Sequence, residues 1–201
     1  MYWGALYGLK THFNKSTDCA FVKTVATTNN QILERILFKH KKTNTYLLAD
    51  AYNGKYIKQT TTHFLESASG NREEALWDTN SCLSFGGGAD LLAYIGHDGL
   101  MEFTIERTFE PRNNQKRDAI MLACSSKDYF APYLEQTGAN PLLWTTGLMA
   151  PEAYTLKWAI DGWLLKETDA AIKERAAQAY HKYQKCGMRG ARNLLVTGYC
   201  A

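Results

Sequence analysis

The chain reads as an α/β fold, a three-layer α/β/α sandwich around a mainly parallel sheet. Three observations predict it. Two short apolar runs, within 89–99 and 118–126, are bounded by Gly and polar residues, as buried strands of a parallel sheet are. Strand-like and helix-like patterns alternate along the chain. The 201 residues are 45% hydrophobic and 21% charged, which suits one domain, 1–201, with a sizeable core. No repeat, low-complexity tract or linker divides the chain.

Taken in order, residues 2–13 place Trp3, Leu6, Tyr7 and Leu9 or Lys10 at helical spacing, although Gly4 and Gly8 weaken a helix there. The chain opens as if inside an element, which suggests that an earlier strand is missing. Residues 20–27 are β-branched and partly alternating, an edge strand. Asn29 and Asn30 precede an expected helix over 31–42, with Ile32, Leu33, Ile36 and Leu37 on one face. In that reading Lys39, His40, Lys41 and Lys42 form its last turn and complement its dipole.

Residues 45–51 form a buried strand, and Asn53-Gly54 turns the chain into a helix that Gly70 ends. Residues 71–88 read as irregular. Their run Gly86-Gly87-Gly88 precedes a strand instead of opening a helix, so it reads as an approach loop rather than a phosphate cradle. A small-ligand role for that loop is the weakest reading of function. After the first apolar run, residues 101–105 suggest a short strand or hairpin arm, and 112–117 a polar loop.

Beyond the strand at 118–124, Ser125-Ser126 begin a helix to about Gln136, closed by Gly138. Residues 140–145 form another strand. Pro151 opens a helix carrying Tyr154, Trp158 and Trp163. Thr168-Asp169 cap a long helix to about Lys185, whose apolar face is Ala170, Ile172, Ala176, Ala179 and Tyr183. Leu194-Leu195-Val196 add a strand or pack down.

Composition narrows the function. The net charge of +3 and the absence of a long basic run give no reason to expect nucleic acid. No run of eighteen apolar residues suggests a membrane span. No secretory signal pattern opens the chain. Five widely spaced cysteines, Cys19, Cys82, Cys124, Cys186 and Cys200, show no zinc-like spacing and fit free thiols in a reduced, cytoplasmic setting.

In a parallel sheet, ligands gather outside the carboxyl ends of the strands. Both apolar runs deliver a reactive residue there, His97 after the first and Cys124 after the second. A thiol beside an imidazole makes a nucleophile and a base. Cys124 also precedes a helix start, where the dipole favours a thiolate. His12, His40, His63 and His181 fall on expected helix surfaces or ends and read as solvated. A cysteine-phosphatase loop needs Arg six positions after Cys, where this chain has Phe130, and no GxSxG elbow is present.

The order of an apolar run then His97 and Gly99, and an apolar run 119–123 then Cys124, resembles the caspase-like cysteine peptidases, including gingipain-, clostripain- and legumain-type enzymes. The continuation through Ser125-Ser126, Leu134, Gly138-Ala139 and the strand Leu142-Leu143-Trp144-Thr145 resembles them too. The likeness spans about 45–163. It implies a caspase-like fold and a Cys/His dyad hydrolysing a peptide or protein substrate without cofactor or metal. Cys124 would attack the carbonyl, His97 would protonate the leaving amine, and backbone N–H groups of Gly99 and Cys124 would hold the oxyanion. Asp50, Trp144 and Thr145, at neighbouring strand ends, are candidates for the substrate pocket, although Asp50 suits a cap on the Asn53-Gly54 turn better.

Departures from that pattern are definite. Asp98 intervenes between His97 and Gly99. The dyad residues are only 27 positions apart (124 − 97), and the caspase signature around the cysteine is absent. An inactive caspase-like module that binds a protein partner is therefore the alternative. Additional domains or a partner chain are compatible with either reading.

Overall fold

A computed structural model describes residues 3, 4, 6–78 and 81–199. Of the described residues expected to form a helix up to Phe13, only those from Leu9 on do so, in α1, Leu9–Asn14; Met1, Tyr2 and Ala5 lie outside the described residues.

The first half of the chain departs most from the sequence reading. Strands β1 (Cys19–Thr24), β2 (Ile32–His40) and β3 (Tyr46–Tyr52) form an antiparallel three-stranded sheet in that order. The helix expected over 31–42 is thus strand β2, at the centre of this sheet. Arg35, Ile36, Leu37 and Phe38 are buried in succession because β2 is covered on both faces, while Leu33, expected on a helix's apolar face, is 48% exposed. Lys39 to Lys42 close a strand and turn into β3 instead of ending a helix.

Asn53 caps a 3-10 turn, Gly54–Tyr56, by accepting the Lys55 N–H, and helix α2 (Ile57–Ala68) follows. Gly70 ends it at φ +82°, with the Arg117 guanidinium packed so closely that a Cβ would collide with it. The stretch expected to be irregular is a hairpin, β4 (Glu73–Asp78) and β5 (Ser81–Gly86), in unbroken antiparallel register. At Gly87 a Cβ would lie 2.8 Å from the Gly70 backbone, so this glycine is there for close packing, not as an approach loop.

The second half follows the predicted pattern. Strands β6 (Leu91–Ile95), β7 (Asp118–Leu122) and β8 (Asn140–Thr145) are parallel, and β9 (Leu195–Val196) joins β8 antiparallel. The arm expected at 101–105 is instead a 3-10 turn, Gly99–Met101, running into a segment without regular secondary structure. Helices α3 (Ser126–Thr137), α4 (Ala153–Leu164) and α5 (Asp169–Gln184) lie close to their predicted bounds, and α6 (Met188–Leu194) is additional. Thr168 accepts the Ala171 N–H as the cap of α5, and Gly138 closes α3 at φ +73°.

Alternation along β7 divides the core. Ile120 and Leu122 pack with α4 and α5 residues such as Leu156, Ala159, Ile172 and Ala176. Ala119, Met121 and Ala123 pack with Phe64 and Leu65 of α2 and Phe130 and Leu134 of α3. Ile160 of α4 also reaches the cluster of Phe13, Ile36 and Phe38 against the first sheet. The molecule is a mixed α/β protein whose four-stranded sheet is mostly parallel. No helix among the described residues is long and apolar enough to cross a membrane.

Candidate active site

Strands β6 and β7 are adjacent and parallel, with Ile95 opposite Leu122. The ladder continues one step further, because the Gly96 N–H donates to the Leu122 carbonyl at 3.1 Å. His97 and Cys124 each stand two residues beyond that pair. They therefore leave the sheet at equivalent positions, at its carboxyl edge. This is where the sequence reading expected them.

The turn carrying Cys124 is braced from below. The buried Thr145 hydroxyl donates to the Ala123 carbonyl and accepts the Ser126 N–H at 3.2 Å. In return the Ser126 hydroxyl accepts the Thr145 N–H at 3.0 Å and donates to the Met121 carbonyl at 2.8 Å. Ser125 takes the left-handed conformation, φ 50° and ψ 31°, that a non-glycine residue adopts at a cost. Its N–H donates to the Gly147 carbonyl at 2.9 Å. These bonds force a sharp exit from β7 into α3 and leave the half-buried Cys124 at the corner.

Residues 146–150 wrap over that corner. The Met149 N–H donates to the Cys124 sulfur at 3.4 Å, and the thiol donates to the Met149 carbonyl at 3.7 Å. The Ala150 N–H is fixed by the Tyr180 hydroxyl of α5 at 3.1 Å.

The turn carrying His97 is held as firmly. The Tyr94 hydroxyl donates to the His97 carbonyl at 2.8 Å, and burial pushes that phenol up to about 12. The Asp98 carboxylate is fully buried. One oxygen accepts the Leu100 N–H at 3.0 Å and so caps the 3-10 turn; the other has no hydrogen-bond partner among the described residues. Burial pushes this carboxyl up to about 6, against the pull of the Leu100 N–H and of His97. Gly99 is buried against the Phe103 ring and Ile57, where a Cβ would lie 2.6 Å from a ring carbon. Asp98 thus builds the turn; it does not orient the imidazole.

The imidazole itself is exposed, and its Nε2 lies 2.8 Å from the Glu102 carboxylate. His97 and Cys124 are not bonded to one another; each has its own partner, Glu102 and Met149. An open groove next to the Glu102 turn is lined by Lys58, Leu100, Met101, Glu102, Phe103 and Glu106; neither His97 nor Cys124 lines it. The backbone groups of Gly99 and Cys124 begin the turns that follow β6 and β7.

The three pocket candidates have other tasks. Asp50 sits on β3 in the first sheet, its carboxylate held by both arms of Arg35 at 2.6 and 2.8 Å, with Glu74 on the same guanidinium at 2.6 Å. It neither caps the turn, which Asn53 does, nor offers an open acid. Trp144 is fully buried against Tyr199, and Thr145 is part of the brace under Cys124. Among the other histidines, His63 is held between Tyr52 and Gln59 and His40 bonds Thr43 at a strand end, so neither is simply solvated.

Met149 and Glu102 had no signal in the sequence. Met149 acts through its backbone, and Glu102 reaches His97 only because Asp98 and Gly99 fold the chain back. Comparison with known proteins leaves the site to be read on its own geometry: no family model, curated protein or solved structure matches this chain.

Proposed function

We propose that this protein is a cysteine endopeptidase of caspase-like α/β/α architecture, with Cys124 as nucleophile and His97 as its acid–base partner. The observation that carries the reading is the equivalent position of the two residues beyond adjacent parallel strands. Helices packing on both faces of that sheet support the architecture. In the reaction, the Cys124 proton passes to the imidazole and the thiolate attacks the substrate carbonyl carbon. The oxyanion is held by the backbone N–H groups of Gly99 and Cys124. His97 returns its proton to the leaving amine as the C–N bond breaks. Water then hydrolyses the thioester. The separate resting partners of thiol and imidazole fit a site that tightens only with substrate bound.

A second reading is an inactive module of the same architecture that binds a protein partner. The observation favouring it is that Met149 covers the thiol with both its N–H and its carbonyl. One panel separates the two readings. Fluorogenic peptides with Arg, Lys, Asn or Asp before the scissile bond are offered to the wild type and to Cys124→Ala. Turnover that disappears in Cys124→Ala supports the peptidase; equal, negligible turnover in both supports the binding module.

A further inference from the structure

We propose that Glu102 is the positioning residue for His97, holding the ring through Nε2 and leaving Nδ1 as the nitrogen that exchanges the proton with the thiol and the leaving amine. The catalytic meaning of this assignment rests on the dyad reading above; its test does not.

The contact is a 2.8 Å bond between Nε2 and a Glu102 oxygen, five residues along the chain. A carboxylate only accepts, so the bond exists only in ring forms that carry a proton on Nε2. In the neutral ring that leaves the Nδ1 lone pair open. In the charged ring Nδ1–H is the free donor, and Glu102 faces the cation.

The pairing follows from how the intervening turn is built. The Asp98 cap starts it, and the Met101 N–H donates to the Asp98 carbonyl at 3.3 Å. The Glu102 and Phe103 N–H groups both donate to the Gly99 carbonyl, at 2.9 and 3.1 Å. Phe103 and Ile57 leave room at position 99 for glycine alone. The Tyr94 hydroxyl holds the His97 carbonyl from the other side. With both ends of the turn anchored, Glu102 is brought back over the imidazole that precedes it. The Asp98 cap that starts the turn is therefore also what makes this pairing possible.

Exposure sets the size of the effect. The His97 and Glu102 side chains are 56% and 64% exposed, so the bond is worth what an exposed pair is worth. That corresponds to roughly a two- to fivefold bias in the tautomer ratio of the neutral ring, and to a similar factor in kcat.

The test uses the full chain with 15N-labelled histidine. Long-range 1H–15N spectra at a pH where the ring is neutral report the Nε2–H to Nδ1–H ratio of His97 in wild type, Glu102→Ala and Glu102→Gln. The ratio is expected to fall about two- to fivefold in Glu102→Ala, and less in Glu102→Gln, which keeps an acceptor oxygen. In the peptide panel the same order is expected in kcat with KM unchanged. An identical tautomer ratio in all three proteins overturns the assignment, whether or not any peptide is cleaved. A changed ratio with no turnover in any protein upholds the pairing and leaves the peptidase reading to fail by itself.

Discussion

Replacing Asp98 by Asn tests the electrostatics of the His97 turn. The Asp98 carboxyl is fully buried, accepts one N–H, and titrates at about 6 against an ordinary value of 3.8. Its folded value is raised, so between those two values the native state binds more protons than the unfolded chain. The stability linked to this group is present in full below about pH 3.8 and lost as pH rises through about 6. Linkage puts that loss at about 2 kcal/mol between pH 4.5 and 7.5. Asn keeps the acceptor oxygen for the Leu100 N–H but does not titrate. Urea unfolding of both proteins at these two pH values gives the stability of each. The stability of Asp98→Asn minus that of wild type should grow by about 2 kcal/mol from the lower pH to the higher. Other titrating groups cancel in this difference, and so does any constant cost of the amide. A difference that stays the same within about 0.5 kcal/mol, within the additivity expected of independent groups, refutes the buried-carboxylate account.

Three further outcomes follow from the packing. Thr145→Val removes the hydroxyl that serves the Ala123 carbonyl and the Ser126 N–H, so it should cost about 1–3 kcal/mol in urea unfolding, and it should slow any Cys124 reaction by loosening the turn. Arg35→Ala leaves Asp50 and Glu74 facing one another without their shared cation. Because both carboxylates keep some contact with water, the expected loss is about 2–3 kcal/mol, somewhat less than for a fully buried pair that loses one partner, again read by urea unfolding. Gly99→Ala should lower the thermal midpoint by several degrees, because its Cβ meets the Phe103 ring and Ile57 Cγ1, whereas Gly54→Ala, where nothing lies within 4 Å, should shift it little.

The parts of the fold that were legible in the sequence are those whose environment is local or periodic. β7 and β8 show as short apolar runs because each is covered on both faces, β6 shows as one although it is a half-buried edge strand, and Gly70 and Gly138 mark helix ends through their left-handed backbone. β2 was not legible because Ile32, Leu33, Ile36 and Leu37 happen to fit a helix stripe. What makes the segment a strand is pairing with β1 and β3 on either side, a non-local fact. The β4–β5 hairpin was hidden for a similar reason: each strand is fixed by its pairing with the other, and Ser81, Cys82 and Ser84 of β5 are exposed, so too few apolar residues mark a face.

At the site, His97 and Cys124 stand out because strand ends are visible in sequence. Their partners do not. The Thr145 brace joins residues 19 or more apart, and the Met149 bonds are made by backbone that any residue carries. Glu102 needs the folded turn to be recognised at all.

The central claim is that Cys124 is an activated nucleophile served by His97, and a timed alkylation of the four described thiols tests it most directly. Cys82 and Cys186 are exposed while Cys124 is half-buried under Met149, so access alone ranks Cys124 behind them. With limiting iodoacetamide and peptide mass mapping, the account predicts that Cys124 is modified first, and that His97→Ala slows Cys124 while leaving Cys82 and Cys186 at their former rates. Modification in order of exposure, with Cys124 reacting equally fast in wild type and His97→Ala, contradicts it.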